Sequence, residues 1–151
     1  MARVITFSTV FPAYHHRAGE PTHFVEKILA SLVGQQNSVS PKNHTIRAGN
    51  RWKIGDKFSP IIWSLPGGRF KKGNKQIQFA PDIEIKKIFD IYICFADKII
   101  SIDGCEFVIN YDEVLKRLAT NDGLRVDDFI YWFGQIPFTG QIICWNENVN
   151  Y

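Results

Sequence analysis

Pro41-Lys-Asn-His-Thr-Ile-Arg-Ala-Gly-Asn-Arg-Trp-Lys-Ile-Gly-Asp56 is the stretch on which the fold turns. Residues 44–47 read as a short strand, and an extended backbone puts Thr45 and Arg47 on one face. Lys42, in the preceding loop, can bring its amine alongside. Two cations on a concave surface favour an anionic or carbonyl-bearing ligand, and each lowers the other's tendency to stay protonated. A lysine desolvated beside Arg47 is a candidate base, with Thr45 as candidate nucleophile, since a hydroxyl needs an adjacent base to attack a carbonyl. The simpler alternative is that Lys42 and Arg47 only contact phosphate or a carboxylate such as Asp56.

Outward from this segment the pattern alternates between strands and helices without β-α-β regularity. Upstream, residues 4–7 are β-branched and aromatic and read as a strand. Residues 12–21 are turn-rich, and a helix is expected over residues 22–33, where Phe24/Val25, Ile28/Leu29 and Leu32/Val33 recur until Gly34 stops it. Residues 35–41 form a polar linker. Downstream, strands are expected at 56–63, 76–79, 83–95 and 99–108, the last folded at Asp103-Gly104. Within the third of these, residues 91–95 are apolar on both faces and predict cover on both sides. Asn110-x-x-Glu113 has the form of a capping box for a helix ending near Asn121-Asp122-Gly123. A second helix over 126–133 and a strand over 138–145 complete the chain. The pattern gives a single α+β domain, residues 1–151, with a strongly bent sheet or small barrel.

The basic loop at residues 64–75 nearly imitates a phosphate-binding Walker A loop through Gly68 and Gly73. Asn74 and Lys75 stand where that loop needs Lys and Ser/Thr, which excludes the reading. No apolar run approaches the ~20 residues of a membrane span, and the N-terminal stretch lacks the form of a signal peptide. Three widely spaced cysteines without a C-x-x-C fit reduced thiols in the cytoplasm better than disulfides or a zinc site. No cofactor motif, metal site or obligate protein partner is expected.

The formal net charge of +3 is unevenly spread. Residues 42–87 hold 11 Lys/Arg against 3 acids, whereas the remainder holds 7 against 12. This predicts an electropositive face for an anionic partner.

Lys42, Thr45 and Arg47, followed by Gly55-Asp56, resemble the ASCH family, relatives of the PUA domain. The stretch Asn121-Asp-Gly-Leu…Asp-Asp-Phe…Trp-Phe133 is also similar. One departure is Ser40, where the family usually has glycine. The resemblance implies a PUA-like small bent β-barrel with packed helices, and a function in binding RNA or a modified nucleoside. Some small members remove the acetyl group from acetylated cytidine, and this implies Lys42 as base, Thr45 as nucleophile and Asp122 as proton donor. Asp122 stands where those enzymes have the longer Glu, and Asn-Asp-Gly is also ordinary turn chemistry. Other members have been described as ribonucleases.

For an RNA partner the expected ligand-binding residues are Arg47, Arg51, Trp52, Lys53, Arg69, Lys71 and Lys72. Phosphate contacts together with aromatic faces are what a single strand needs. Trp52, between two cations, is expected to expose its ring, and Trp63 to lie in the core. His15, His16, Glu20 and His23 match no metal spacing and read as a solvated loop.

Overall fold

A computed structural model describes residues 3–34, 39–107, 111–134 and 136–151. The chain runs β1 (Arg3–Thr6), α1 (Phe24–Val33), β2 (His44–Ala48), β3 (Lys57–Trp63), β4 (Gln76–Gln78), β5 (Ile83–Glu84), β6 (Lys87–Cys94), β7 (Ile99–Ile102), β8 (Cys105–Glu106), α2 (Tyr111–Asn121), α3 (Val126–Phe133) and β9 (Phe138–Cys144). It is a mixed α+β architecture with two sheets. In the first, β3 lies between parallel β1 and antiparallel β4 and also pairs with β5. The second is antiparallel in the order β2-β9-β6-β7-β8.

The expected barrel is not closed. β1 and β2 end separate sheets, and a side chain reaches between them: Arg47 donates from Nη2 to the Thr6 carbonyl at 2.8 Å. The anticipated strand over 83–95 breaks for a related reason. Ile85 N–H bonds Asp56 O in the first sheet, whereas Lys86 N–H bonds Cys144 O in the second, both at 2.8 Å. The chain changes sheets between these two residues, so β5 and β6 are distinct.

One hydrophobic cluster draws on both sheets and all three helices. Phe7, Phe58 and Trp145 join them, with ring centroids 5.9–6.4 Å apart. Burying a side chain such as Phe58, wholly shielded here, stabilises a fold by roughly 1.5–3 kcal/mol. Gly140 sits opposite Ala48 in the β2–β9 ladder. A Cβ there would lie 2.1 Å from Arg47 O, so this close approach needs glycine.

α1 starts later than expected, because His23 adopts a left-handed conformation and the Thr22 hydroxyl accepts from Phe24 N–H. Its apolar stripe is only half used: Phe24 and Ile28 are buried, while Leu32 and Val33 are exposed. In β6, Ile91 and Ile93 are buried on one face, while on the other Cys94 is buried and Tyr92 exposed, so cover of the second face is partial. The Asp103-Gly104 hairpin forms as expected, both residues at positive φ. Asn110 of the capping box, Val108 of the expected strand and linker residues 35–38 lie outside the described residues. Cys94 and Cys144 are buried and Cys105 is exposed, all as thiols. Among the described residues no helix is long and apolar enough to cross a membrane.

Candidate functional site

Two backbone bonds wedge the segment before β2 between helices. Lys42 N–H donates to Lys27 O of α1 at 3.0 Å, and Asn43 N–H to Asn121 O of α2 at 2.7 Å. At the end of α2, Gly123 takes a left-handed conformation (φ +79°). The chain turns there and presents both oxygens of Asp122 to Lys42. Lys42 Nζ donates to Asp122 Oδ1 at 2.7 Å and to its carbonyl at 2.6 Å, with the Phe24 ring 4.4 Å away. Their side chains are 2% and 6% exposed. Burial holds the Lys42 amine below its ordinary value, against the attraction of Asp122. Burial alone would raise Asp122, but Lys42 and His44 outweigh it and hold the carboxyl below the usual range. The Asp122 carboxylate therefore serves a partner 80 residues away, rather than the amides of its own turn.

His44, which sequence reasoning passed over, completes this network. Its Nδ1 lies 3.6 Å from Asp122 Oδ1 without a hydrogen-bond partner. Its Nε2 lies 2.5 Å from the Tyr151 hydroxyl, which accepts from Asn121 Nδ2 at 3.0 Å. The Tyr151 hydroxyl thus bridges Asn121 and His44 Nε2, while His44 Nδ1 faces Asp122. Burial lowers His44 and raises Tyr151. The one sequence signal was the position of His44 between the two residues singled out, Lys42 and Thr45.

Thr45 is buried, and its hydroxyl accepts from Arg47 Nε at 3.2 Å. Lys42 Nζ makes its bonds to Asp122, and no Lys42–Thr45 hydrogen bond forms among the described residues. The expected base and nucleophile are thus committed to different partners. Arg47 rests 5.2 Å from the Phe7 ring centroid. Burial lowers its guanidinium to about 10, which leaves it charged at neutral pH. Asp56 contacts neither cation: it pairs with Arg3 at 2.6 Å and accepts from Lys53 N–H.

The basic residues do not form one patch. Arg51, Trp52 and Lys53 precede β3, whereas Arg69, Lys71 and Lys72 follow it, and seven-residue β3 spans roughly 20 Å. Trp52 is 3% exposed, which overturns the expected stacking platform. The Arg3 guanidinium lies 4.1 Å from its ring centroid, and the Gln141 amide bonds both its N–H and its C=O. Trp63 is only partly buried, so it is not the core residue expected.

The loop after β3 is organised around Asn74. Its side chain accepts from Ser64 Oγ and Leu65 N–H and donates to the Leu65 and Gly68 carbonyls, at 2.6–3.0 Å. From this clamp project exposed Arg69, Lys71 and Lys72, with Phe70 86% exposed and Arg69 stacked on it at 4.7 Å. Beside it lies a cleft of about 230 Å³, walled by residues 6–10 on one side and by Trp63, Leu65 and Gly68 on the other. Arg47 stands behind this wall through its bond to Thr6 O. A larger cavity than this cleft, about 560 Å³, lies elsewhere, on the sheet face around Asp90 and Tyr92, and has no cation among the described residues of its lining.

The loop over residues 12–21 is not simply solvated. His15 is buried; its Nδ1 accepts from Arg17 N–H, which puts the proton on Nε2 to bond Asp128 O at 2.9 Å. His16 Nε2 and Arg17 Nη1 take the two Asp128 carboxylate oxygens at 2.8 and 2.6 Å. Three atoms able to ligate a metal lie within 4.8 Å of one another here. Each already has a hydrogen-bond role, which makes the cluster an anchor of this loop onto α3.

Comparison of the chain with family models, with curated proteins and with solved structures finds no match.

Proposed function

We propose that this chain is an ASCH-like, PUA-related domain that binds single-stranded RNA or a modified nucleoside in the cleft between residues 6–10 and Trp63. The observation that carries this reading is the clamped loop. Asn74 fixes its path, so its cations and the exposed Phe70 ring are preorganised beside the cleft. Preorganised cations and an open aromatic face give backbone contacts plus base stacking, which suits a single strand. Arg47 supports the cleft wall, and Lys42 and Asp122 hold the loop before β2 in place.

Fluorescence titration with a single-stranded RNA oligonucleotide over about 50 to 200 mM salt tests it. Affinity should fall steeply with salt. Replacing Arg69, Lys71 and Lys72 together by Gln should flatten the log–log slope, by about 0.7 for each phosphate no longer neutralised. Salt-independent binding, or an unchanged slope in the triple variant, rejects the reading.

The second reading, hydrolysis of acetylated cytidine, is favoured by one observation: Lys42 and Asp122, matched by family motif, do meet. Against it stands their closure from water and the engagement of Thr45 by Arg47. Conversion of acetylated cytidine to cytidine by the wild type, lost in Thr45→Ala, would favour hydrolysis over binding alone.

A further inference from the structure

Five of the chain's nine asparagines converge on one cavity away from the basic loop. Asn43, Asn121, Asn146, Asn148 and Asn150 line it together with Arg117, as an open pocket of about 330 Å³. That volume is in the range of small-molecule sites. The amides are ordered in series: Asn146 Nδ2 donates to Asn43 Oδ1, Asn43 Nδ2 to Asn121 Oδ1, and Asn121 Nδ2 to the Tyr151 hydroxyl, at 3.0–3.3 Å. Each of these amide nitrogens has a second N–H beyond the bond named.

The charge lining the cavity has one sign. Among the described residues, Arg117 is the one ionised side chain in its lining. The guanidinium uses Nη2 on Asn150 O at 2.6 Å and lies 5.2 Å from the Tyr151 ring centroid, which orients its fork. It carries five N–H donors and no acceptor, so donors remain for a ligand. Lys87 Nζ, bonded to Asn150 Oδ1 at 2.7 Å and to Val149 O, adds a second positive charge at the rim. Two acids adjoin lining residues in sequence, and neither lines the cavity. Asp122 is buried against Lys42, which balances its charge, and Glu147 is exposed.

From this arrangement we infer that the asparagine cavity binds a small ligand through an oxyanion, a carboxylate or a phosphate group. Arg117 holds the charge and the asparagine amides supply directional donors. Guanidinium geometry matches both oxyanions, and neutral amides add donors without the repulsion that further cations would bring. The site is separate from the cleft beside Trp63.

Nuclear magnetic resonance titration of the whole chain with inorganic phosphate, and separately with acetate, tests this. The side-chain signals of Arg117 and of the lining asparagines should shift saturably with at least one anion. Arg117→Lys retains the charge but loses the fork, and should weaken binding about tenfold. Asn148→Ala, at a residue with no side-chain bond among those described, should weaken it without disturbing the fold. Glu147→Gln should tighten it. Response to phosphate alone or to acetate alone identifies the oxyanion. Absence of saturation with both, or saturation unchanged in Arg117→Lys and Asn148→Ala, overturns the inference. Arg69→Gln serves as the control that leaves these shifts intact.

Discussion

The Lys42 ammonium lies 2.7 Å from Asp122 Oδ1 and 2.6 Å from the carbonyl of the same residue, with both side chains shut from water. One residue at the end of α2 therefore supplies a counter-charge and a backbone acceptor to a lysine that precedes β2. The pairing fixes how the β2 segment docks on the helices. Removing one member of such a pair leaves an uncompensated buried charge, at a cost of about 3–5 kcal/mol. Lys42→Met and Asp122→Asn should each show a loss of that order in urea denaturation. The double variant should lose clearly less than the sum, since the charge left stranded by each single change is then absent. Additive losses would show that the pair is not coupled.

Acid should destabilise the fold in two stages. His44 is held below its ordinary value by burial, facing Asp122, Lys42 and the Tyr151 hydroxyl. As pH falls through about 6.5 the unfolded chain takes up a proton that the native His44 refuses. Stability therefore falls with falling pH, by at most about 1.4 kcal/mol per pH unit for one proton. Asp122, held below the carboxylate range, contributes stability that is intact above its unfolded value and lost as pH falls through its folded value. His44→Asn should flatten the upper stage and leave the lower. An upper stage that persists in this variant assigns it to another group.

Gly123 lies against Lys42 in a left-handed conformation, and a Cβ there would sit 3.1 Å from Lys42 Cβ. Gly19 has a similar φ of +82°, but nothing within 4 Å of an added Cβ. Both Gly→Ala variants bear the backbone cost of roughly 1–2 kcal/mol, and only Gly123→Ala also crowds the buried lysine. It should therefore be the less stable of the two in denaturant melts. Equal losses would mean that Lys42 gives way freely.

The local elements were legible because their causes are local. The Asp103-Gly104 turn, the stop at Gly34 and the apolar face of α2 each depend on a few neighbouring residues. The barrel was not, because closure depends on whether β1 and β2 pair, and Arg47 bonds Thr6 O across 41 residues. Trp52 misled for the same reason. Flanking cations suggested exposure, but Arg3, 49 positions earlier, and Gln141, 89 positions later, cover the ring and satisfy its backbone. Family motif singled out Lys42 and Asp122 separately, as base and proton donor, but not their ion pair, since nothing local links residues 80 positions apart. His44 and Tyr151 were missed because their bond spans 107 positions.

Trp63, the last residue of β3, and Trp52, which precedes the strand, separate the proposed RNA cleft from the rest of the basic span. Trp63 lines the cleft and is partly exposed, whereas Trp52 is buried beneath Arg3. Base stacking on a partly exposed indole should quench its emission and shield it from iodide. Trp63→Phe should abolish most of the RNA-induced fluorescence change, and Trp52→Phe should preserve it. Replacing Arg51 and Lys53 by Gln should alter affinity less than replacing Arg69, Lys71 and Lys72, because the first pair lies at the opposite end of β3. If Trp52→Phe instead removes the signal, or if Arg51 and Lys53 dominate the salt dependence, RNA binds at the start of β3 and the cleft beside Trp63 is not the site.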